Sequence, residues 1–158
     1  MDISFRKARV SDQTTIEALF IEMLRSVYQS ENVDGYENDY LLKFFGTSDD
    51  CVIVAESNSA VIGYIAVVVN REGGEYAYLD DFCVKNKYRN LGIGTQLLLL
   101  AEAYATEKRL SDIRLHVEMT NASARKLYEK NGYEILRADG SRLLMRKTQS
   151  KNSKEVTP

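Results

Sequence analysis

The sequence predicts one mixed α/β domain of the α+β kind, with strands and helices interleaved along the chain. Three observations carry this. Short runs that alternate apolar and polar residues recur between segments whose apolar residues fall three or four positions apart. A turn bearing Gly92 and Gly94 leads from one such run into the most apolar helix. Finally, 158 residues fit a single domain with a substantial core.

The elements follow in order. Residues 3–8 (ISFRKA) alternate as a strand, and Ser11 or Asp12 offers a cap for a helix whose Ile16, Leu19, Phe20, Met23, Leu24 and Val27 share a face. Residues 29–50 turn polar and acidic, with Glu31, Asp34, Glu37, Asp39, Asp49 and Asp50 set against the single base Lys43; a short helix is expected at 40–45. Residues 51–56 and 61–69 read as strands joined by a hairpin-sized connection. Gly73 and Gly74 turn the chain into a strand over 76–84. After the glycine turn, Ile93, Leu97, Leu100, Ala101 and Tyr104 mark the inner face of a helix, with Thr95, Glu102 and Thr106 opposite. Lys108 and Arg109 suit its C-terminus. A strand at 113–118, a helix at 121–130 closed by Asn131 and Gly132, and final strands at 133–137 and 141–147 complete the domain. Residues 1–147 form this one domain, and 148–158, with almost nothing to bury, are expected to be a disordered tail.

Composition narrows the function. With 44% hydrophobic and 28% charged residues the chain reads as an ordinary soluble globular protein. No apolar run approaches the roughly 20 residues of a membrane span, and the N-terminus lacks a signal-peptide core, so a cytoplasmic location is expected. A net charge of −2 without a basic stripe argues against nucleic-acid binding. Cys51 and Cys83 sit in apolar strand-like runs without metal-ligand spacing; both are expected to be buried thiols, and no metal is expected.

The stretch from Tyr88 to Thr95 carries the chemistry. Gly92 and Gly94 permit close approach by a ligand where strand turns into helix, and the first amides of that helix remain unpaired. An anion there gains about 0.3–1 kcal/mol per favourable charge–dipole contact, so a pyrophosphate held by several amides is gripped firmly. A Walker loop is excluded, because no Gly-Lys pair of that kind exists. A dinucleotide fingerprint fails as well, because Asn90 and Leu97 stand where its other glycines belong. What remains, Arg89-x-x-Gly92-x-Gly94, resembles the acetyl-CoA pyrophosphate loop of the GNAT superfamily of N-acetyltransferases. A second segment is similar to that family too: Asn121, Ala124 and Tyr128 at helical spacing, then Gly132 followed by the aromatic Tyr133. The resemblance covers residues 3–147.

It implies a mixed, mostly antiparallel sheet of six to seven strands, splayed between the fourth and fifth and flanked by about four helices. It also implies acetyl-CoA as co-substrate, and direct acetyl transfer to an amine within a ternary complex. Residues Arg89, Asn90, Leu91, Gly92, Ile93, Gly94 and Thr95 would hold the pyrophosphate. Phe82, Cys83 and Val84 would grip the pantetheine arm, with Asn121 and Ala124 beside the cofactor. Tyr128 occupies the general-acid position and would protonate the departing thiolate. Asp80 matches the base of the spermidine/spermine acetyltransferases; Asp81 is the next candidate, a water relay remains open, and Glu118 is more distant. Strict alternation would put Asp80 on one face with Tyr78 and Phe82, and Asp81 on the other with Leu79 and Cys83. His116, the only histidine, is expected to have a structural or orienting role.

The acidic residues of 29–50 would attract a small cationic amine, such as a polyamine or an aminoglycoside. Tyr28, Tyr36, Tyr40 and Phe44 would line its pocket or belong to the core. The alternatives are a protein lysine or N-terminus as acceptor, or a non-catalytic module that senses acetyl-CoA. Family resemblance further implies a possible homodimer.

Overall fold

In the computed structural model, which describes residues 2–46 and 48–150, the chain runs β1 (Ile3–Lys7), α1 (Gln13–Tyr28), β2 (Cys51–Ser57), β3 (Ala60–Asn70), β4 (Tyr76–Val84), α2 (Ile93–Glu107), β5 (Asp112–Glu118), α3 (Ala122–Lys130), β6 (Glu134–Asp139) and β7 (Arg142–Thr148). The short helix expected at 40–45 is a 3-10 helix, Tyr40–Phe45, and further 3-10 turns lie at Val10–Asp12 and Asn86–Tyr88. All strands join one sheet in the order β1-β2-β3-β4-β5-β7-β6. Every neighbouring pair is antiparallel except β4 and β5.

Local chemistry explains the turns. Asn58 and Ser59 join β2 to β3 with φ of 50° and 66°, the left-handed pair that a two-residue hairpin turn requires. Asp12 precedes α1 without capping it through its side chain. Its carboxylate instead takes the Arg9 amide at 2.7 Å and the Arg6 guanidinium at 2.7 and 3.0 Å, tying β1 to the helix start.

The sheet has a core on each face. On one side α2 and α3 pack Ile93, Leu97, Leu98, Ala101 and Tyr128 against Ile65, Leu79, Leu115 and Met145. On the other, α1 and the 3-10 helix pack Ile16, Leu19, Leu41 and Phe44 against Val52, Val54, Tyr64 and Cys83. Glu102, expected on the outer side of α2, is buried: Tyr133 donates to it at 2.9 Å and Lys147 pairs with it at 2.9 Å. The last strand therefore covers that flank. The domain also outlasts residue 147. Thr148 ends β7, and the Gln149 amide donates to Ser111 O at 2.7 Å while its side chain donates to Glu102 O and Thr106 Oγ1. The remainder of the expected tail, 151–158, lies outside the described residues.

Two irregularities of β4 shape the site. First, β3 and β4 pair Ile65 with Phe82 and Val67 with Leu79, so Ala66 alone stands opposite both Asp80 and Asp81. This two-against-one arrangement is a β-bulge, and it shifts the alternation by one residue. The strict alternation expected from the sequence is thereby corrected. Phe82 and Val84 join Ala77 and Leu79 on the α2 side, Cys83 turns to the α1 side, and Asp80 and Asp81 both reach phenols that lie on the α1 side. Second, β4 pairs with β5 only from Ala77 to Leu79; beyond Leu115 the strands part. Gly63 lets β3 lie tightly against the end of β4, since a Cβ there would come within 2.9 Å of the Cys83 carbonyl oxygen.

Candidate active site

The glycine turn opens α2 beside the splay. Asn90 and Gly92 have φ of 63° and 80°, and the first helical bond runs from the Gln96 amide to Gly92 O at 3.1 Å. The amides of Ile93, Gly94 and Thr95 precede it and are the orphan donors of a helix start. A Cβ on Gly92 would meet nothing within 4 Å, whereas one on Gly94 would touch the Phe82 and Leu127 side chains at 3.5 and 3.7 Å. Gly92 is thus the open glycine of the turn, and Gly94 the one that lets α2 approach β4. Arg89 is exposed and donates to Val84 O at 3.3 Å, at the mouth of a cleft of about 110 Å³ between α1 and the end of β4 that Leu19, Met23, Cys83 and Lys85 also line. This donor set, amides at a helix start with an arginine beside them, fits a pyrophosphate. Leu91 is exposed, and Asn121 caps α3 by accepting from the Ala124 amide at 3.3 Å.

Tyr128 lies under the splay from the α3 side. Its ring sits 6.1 Å from that of Phe82 and 5.9 Å from that of Tyr133, and only 8% of the residue is exposed. Burial, then the neighbouring Tyr78, pushes its phenol well above the ordinary value. The hydroxyl makes no hydrogen bond among the described residues, so its proton is available to a group lodged between β4 and β5. Cys83 is a poor nucleophile: it is 7% exposed, its thiol points to Leu19 O at 3.8 Å, and burial drives its pKa up.

On the α1 side the bulge presents its carboxylates to phenols from the connection between α1 and β2. Tyr40 Oη donates to Asp80 Oδ2, and Tyr36 Oη donates to Asp81 Oδ2 at 2.6 Å while lying 2.9 Å from Tyr64 Oη. The rings of Phe20 and Tyr36 stack at 3.9 Å, those of Tyr36 and Tyr40 at 5.0 Å, and Phe44 meets Tyr40 edge-on at 5.9 Å. Burial raises the Asp81 carboxyl to about 6, with the Tyr36 hydrogen bond and Lys43 pulling it down and Asp80 pushing it up. A carboxylate so placed can accept a proton near neutral pH.

The acidic connection itself divides in two. Asp49 pairs with Lys108 at 3.3 Å and Arg71 at 3.6 Å, and Asp50 accepts the Val69 amide at 2.8 Å and faces Lys43 at 3.9 Å. These acids anchor the segment. Glu31, Asp34, Glu37 and Asp39 remain exposed. Tyr28 Oη, at the end of α1, donates to Glu118 Oε1 at 2.9 Å across to the end of β5.

Sequence reading missed three features: the bulge, the hydrogen bonds that join Tyr36 and Tyr40 to its carboxylates and Tyr36 to Tyr64, and a chain of contacts through His116. Tyr78 Oη lies 2.5 Å from His116 Nδ1, and His116 Nε2 lies 2.8 Å from Asp139 Oδ2, whose other oxygen accepts from Arg137 at 2.9 Å. His116, expected in a structural or orienting role, thus has partners on two other strands. The signal for the bulge was the pair of adjacent acids in an apolar strand. Nothing local signalled the phenols.

No group of three or more His, Cys, Asp or Glu among the described residues is disposed to hold a metal ion, and no helix of theirs is long and apolar enough to cross a membrane.

The model of the acetyltransferase (GNAT) family matches residues 16–133. An uncharacterised N-acetyltransferase of Bacillus subtilis, YhfO, is 30% identical over 84% of this chain and 90% of its own. The spermidine N(1)-acetyltransferase of Thermoplasma acidophilum is 28% identical over 93% of this chain and 98% of its own. Among solved structures, the PaiA N-acetyltransferase of Thermoplasma acidophilum in complex with coenzyme A superposes with a TM-score of 0.78 at 25% identity, over 94% of this chain and 99% of that one.

Proposed function

This chain belongs to the acetyltransferase (GNAT) family, and from that premise we propose that it moves the acetyl group of acetyl-CoA to a primary amine of a small, polycationic acceptor. The observation that carries the acceptor class is the carboxylate pair Asp80 and Asp81, turned by one bulge toward a connection whose exposed residues include Glu31, Asp34, Glu37 and Asp39. Negative charge around a site attracts a cation and raises its encounter rate. The likeness to a spermidine N(1)-acetyltransferase supports the same class.

The cofactor supplies the activated acetyl group, and the chain's residues do the rest. In this reading the amides of Ile93, Gly94 and Thr95 hold the pyrophosphate, and the splay admits the arm beside Phe82, Cys83 and Val84. Holding the thioester beside the amine is the largest contribution, worth about 7–11 kcal/mol for a well-oriented pair. An alkylammonium with a pKa of about 10.4 must first lose a proton, at a cost of about 4 kcal/mol at neutral pH. A carboxylate of the bulge accepts it and passes it to water. The free amine then attacks the acetyl carbonyl carbon, the C–S bond breaks with its electron pair going to sulfur, and Tyr128 protonates the thiolate. The second amine proton restores Tyr128.

Thiol release measured across spermidine, spermine, an aminoglycoside, a lysine peptide and a peptide N-terminus tests this. Highest kcat/KM on the small polycations is the expected result. Turnover of peptides alone moves the acceptor to proteins, and tight acetyl-CoA binding without turnover of any amine leaves a sensor.

A further inference from the structure

The bulge offers two adjacent carboxylates, and their surroundings differ. Asp80 is met by one phenol, Tyr40, which reaches it from a ring that Lys43 overlies at 4.8 Å. Asp81 is met by a chain of two. An ionised carboxylate only accepts hydrogen bonds. The single proton of Tyr36 therefore goes to Asp81, and the 2.9 Å contact behind it is completed by Tyr64 donating to Tyr36. Tyr64 is fully buried on β3, so this chain ends inside the core. It can hold charge on Asp81 but has no route to pass a proton to water.

We propose that Tyr36, braced by Tyr64, is the positioning residue that singles out Asp81 from its neighbour Asp80 as the proton acceptor of the transfer reaction. The assignment rests on the transferase reading above. Tyr36 occupies Oδ2 of Asp81 and fixes the carboxylate plane, which leaves Oδ1 as the oxygen to take the amine proton. Hydrogen bonds in series polarise one another, so Tyr64 strengthens the donation from Tyr36. The stack of Phe20, Tyr36 and Tyr40 rings holds the phenol at this position without contribution from the acceptor.

Other groups act on Asp81 as well. Asp80, Tyr78 and Cys83 share its strand, Tyr64 faces it from β3, and Tyr36, Tyr40 and Lys43 face it from the connection. The face of α1 packed here is apolar, with Ile16, Leu19, Phe20 and Met23, and its Glu22 is felt at Cys83. Of these, Tyr36 alone donates a hydrogen bond to Asp81. Removing that donor disfavours the ionised carboxylate, so the pH at which Asp81 gives up its proton must rise.

The test is the pH profile of kcat/KM with spermidine for the wild type, Tyr36→Phe, Tyr64→Phe and Asp81→Asn, together with the carboxyl titration of Asp81 followed by carbon NMR. Phenylalanine keeps the ring stack, and thermal melts check the fold. The expected result is an acidic limb that moves up by about one pH unit or more in Tyr36→Phe, by less in Tyr64→Phe, and a rate that collapses in Asp81→Asn. A limb left in place by Tyr36→Phe, or an Asp81→Asn enzyme that keeps its rate, overturns the proposal. If no amine turns over, the transferase reading fails separately. The NMR titration still decides: an Asp81 midpoint unmoved by Tyr36→Phe refutes the link between these two residues, and a raised one upholds it.

Discussion

Tyr78 Oη and His116 Nδ1 lie 2.5 Å apart at the place where β4 and β5 stop pairing. The backbone ladder between these strands ends at Leu79 and Leu115, and the side chains on the α1 face continue the connection. His116 passes the contact on to Asp139 of β6, so strands from both halves of the sheet are tied beside the splay.

His116→Ala removes that tie. Leaving a buried phenol without its partner costs about 1–3 kcal/mol; Tyr78 is half-buried, so denaturant unfolding at pH 7 should register a loss of about 1 kcal/mol, at the lower end of that range. The variant should also respond differently to acid. His116 is the first cause, and Arg137 the second, holding the Asp139 carboxyl below its ordinary value. A depressed carboxyl stabilises the fold above its unfolded pKa of about 3.9, and the contribution fades as pH falls through the lower folded value. The wild type should therefore lose stability more steeply than His116→Ala on going below pH 4; parallel curves would remove Asp139 from the explanation.

The two glycines of the cradle should separate in a binding measurement. Gly92 has φ of 80°, and its missing Cβ faces open space, whereas a Cβ on Gly94 makes ordinary contacts with Phe82 and Leu127. Gly92→Ala pays about 1–2 kcal/mol of left-handed strain and, in the proposed reading, puts a methyl group where the pyrophosphate would approach. Calorimetric titration with coenzyme A should give a loss of affinity of about tenfold or more for Gly92→Ala and less for Gly94→Ala. The reverse order would mean that the ligand lies over Gly94.

Neutralising Asp34, Glu37 and Asp39 together should lower kcat/KM for spermidine by about 3- to 10-fold at low ionic strength and leave kcat nearly unchanged, because exposed charges act on encounter. The difference should shrink at high salt, where screening is short-ranged. An effect independent of salt would point to a direct contact instead. Asp49 and Asp50 are unsuitable for this experiment, since their ion pairs and the Val69 amide hold the connection in place.

The elements and the glycine turn that opens α2 were legible in the sequence because they rest on local rules. Period-two runs, helical spacing, and glycines at a strand-to-helix turn each involve residues within a few positions of one another. The site's finer organisation is not local. Whether Asp81 shares a face with Leu79 or with the phenol of Tyr36 depends on β3 pairing one residue, Ala66, against two on β4, and a register cannot be read from one strand. Strict alternation failed there for that reason. Tyr36 and Asp81 are 45 residues apart, and Tyr78 and His116 are 38 apart, so only the assembled sheet brings them together. Glu102 misled in the same way: its helical position suggested solvent, but Lys147 and Tyr133 arrive from the far end of the chain to bury it.

Transfer from acetyl-CoA with Tyr128 as the proton donor is tested most directly by thiol release from acetyl-CoA and spermidine in the wild type and in Tyr128→Phe, with coenzyme A affinity measured on the same samples. Removing the hydroxyl should lower kcat by about 100-fold or more, as loss of a general acid does, while the affinity stays within about twofold. An unchanged kcat, or a loss fully explained by weaker cofactor binding, would contradict the role given to Tyr128.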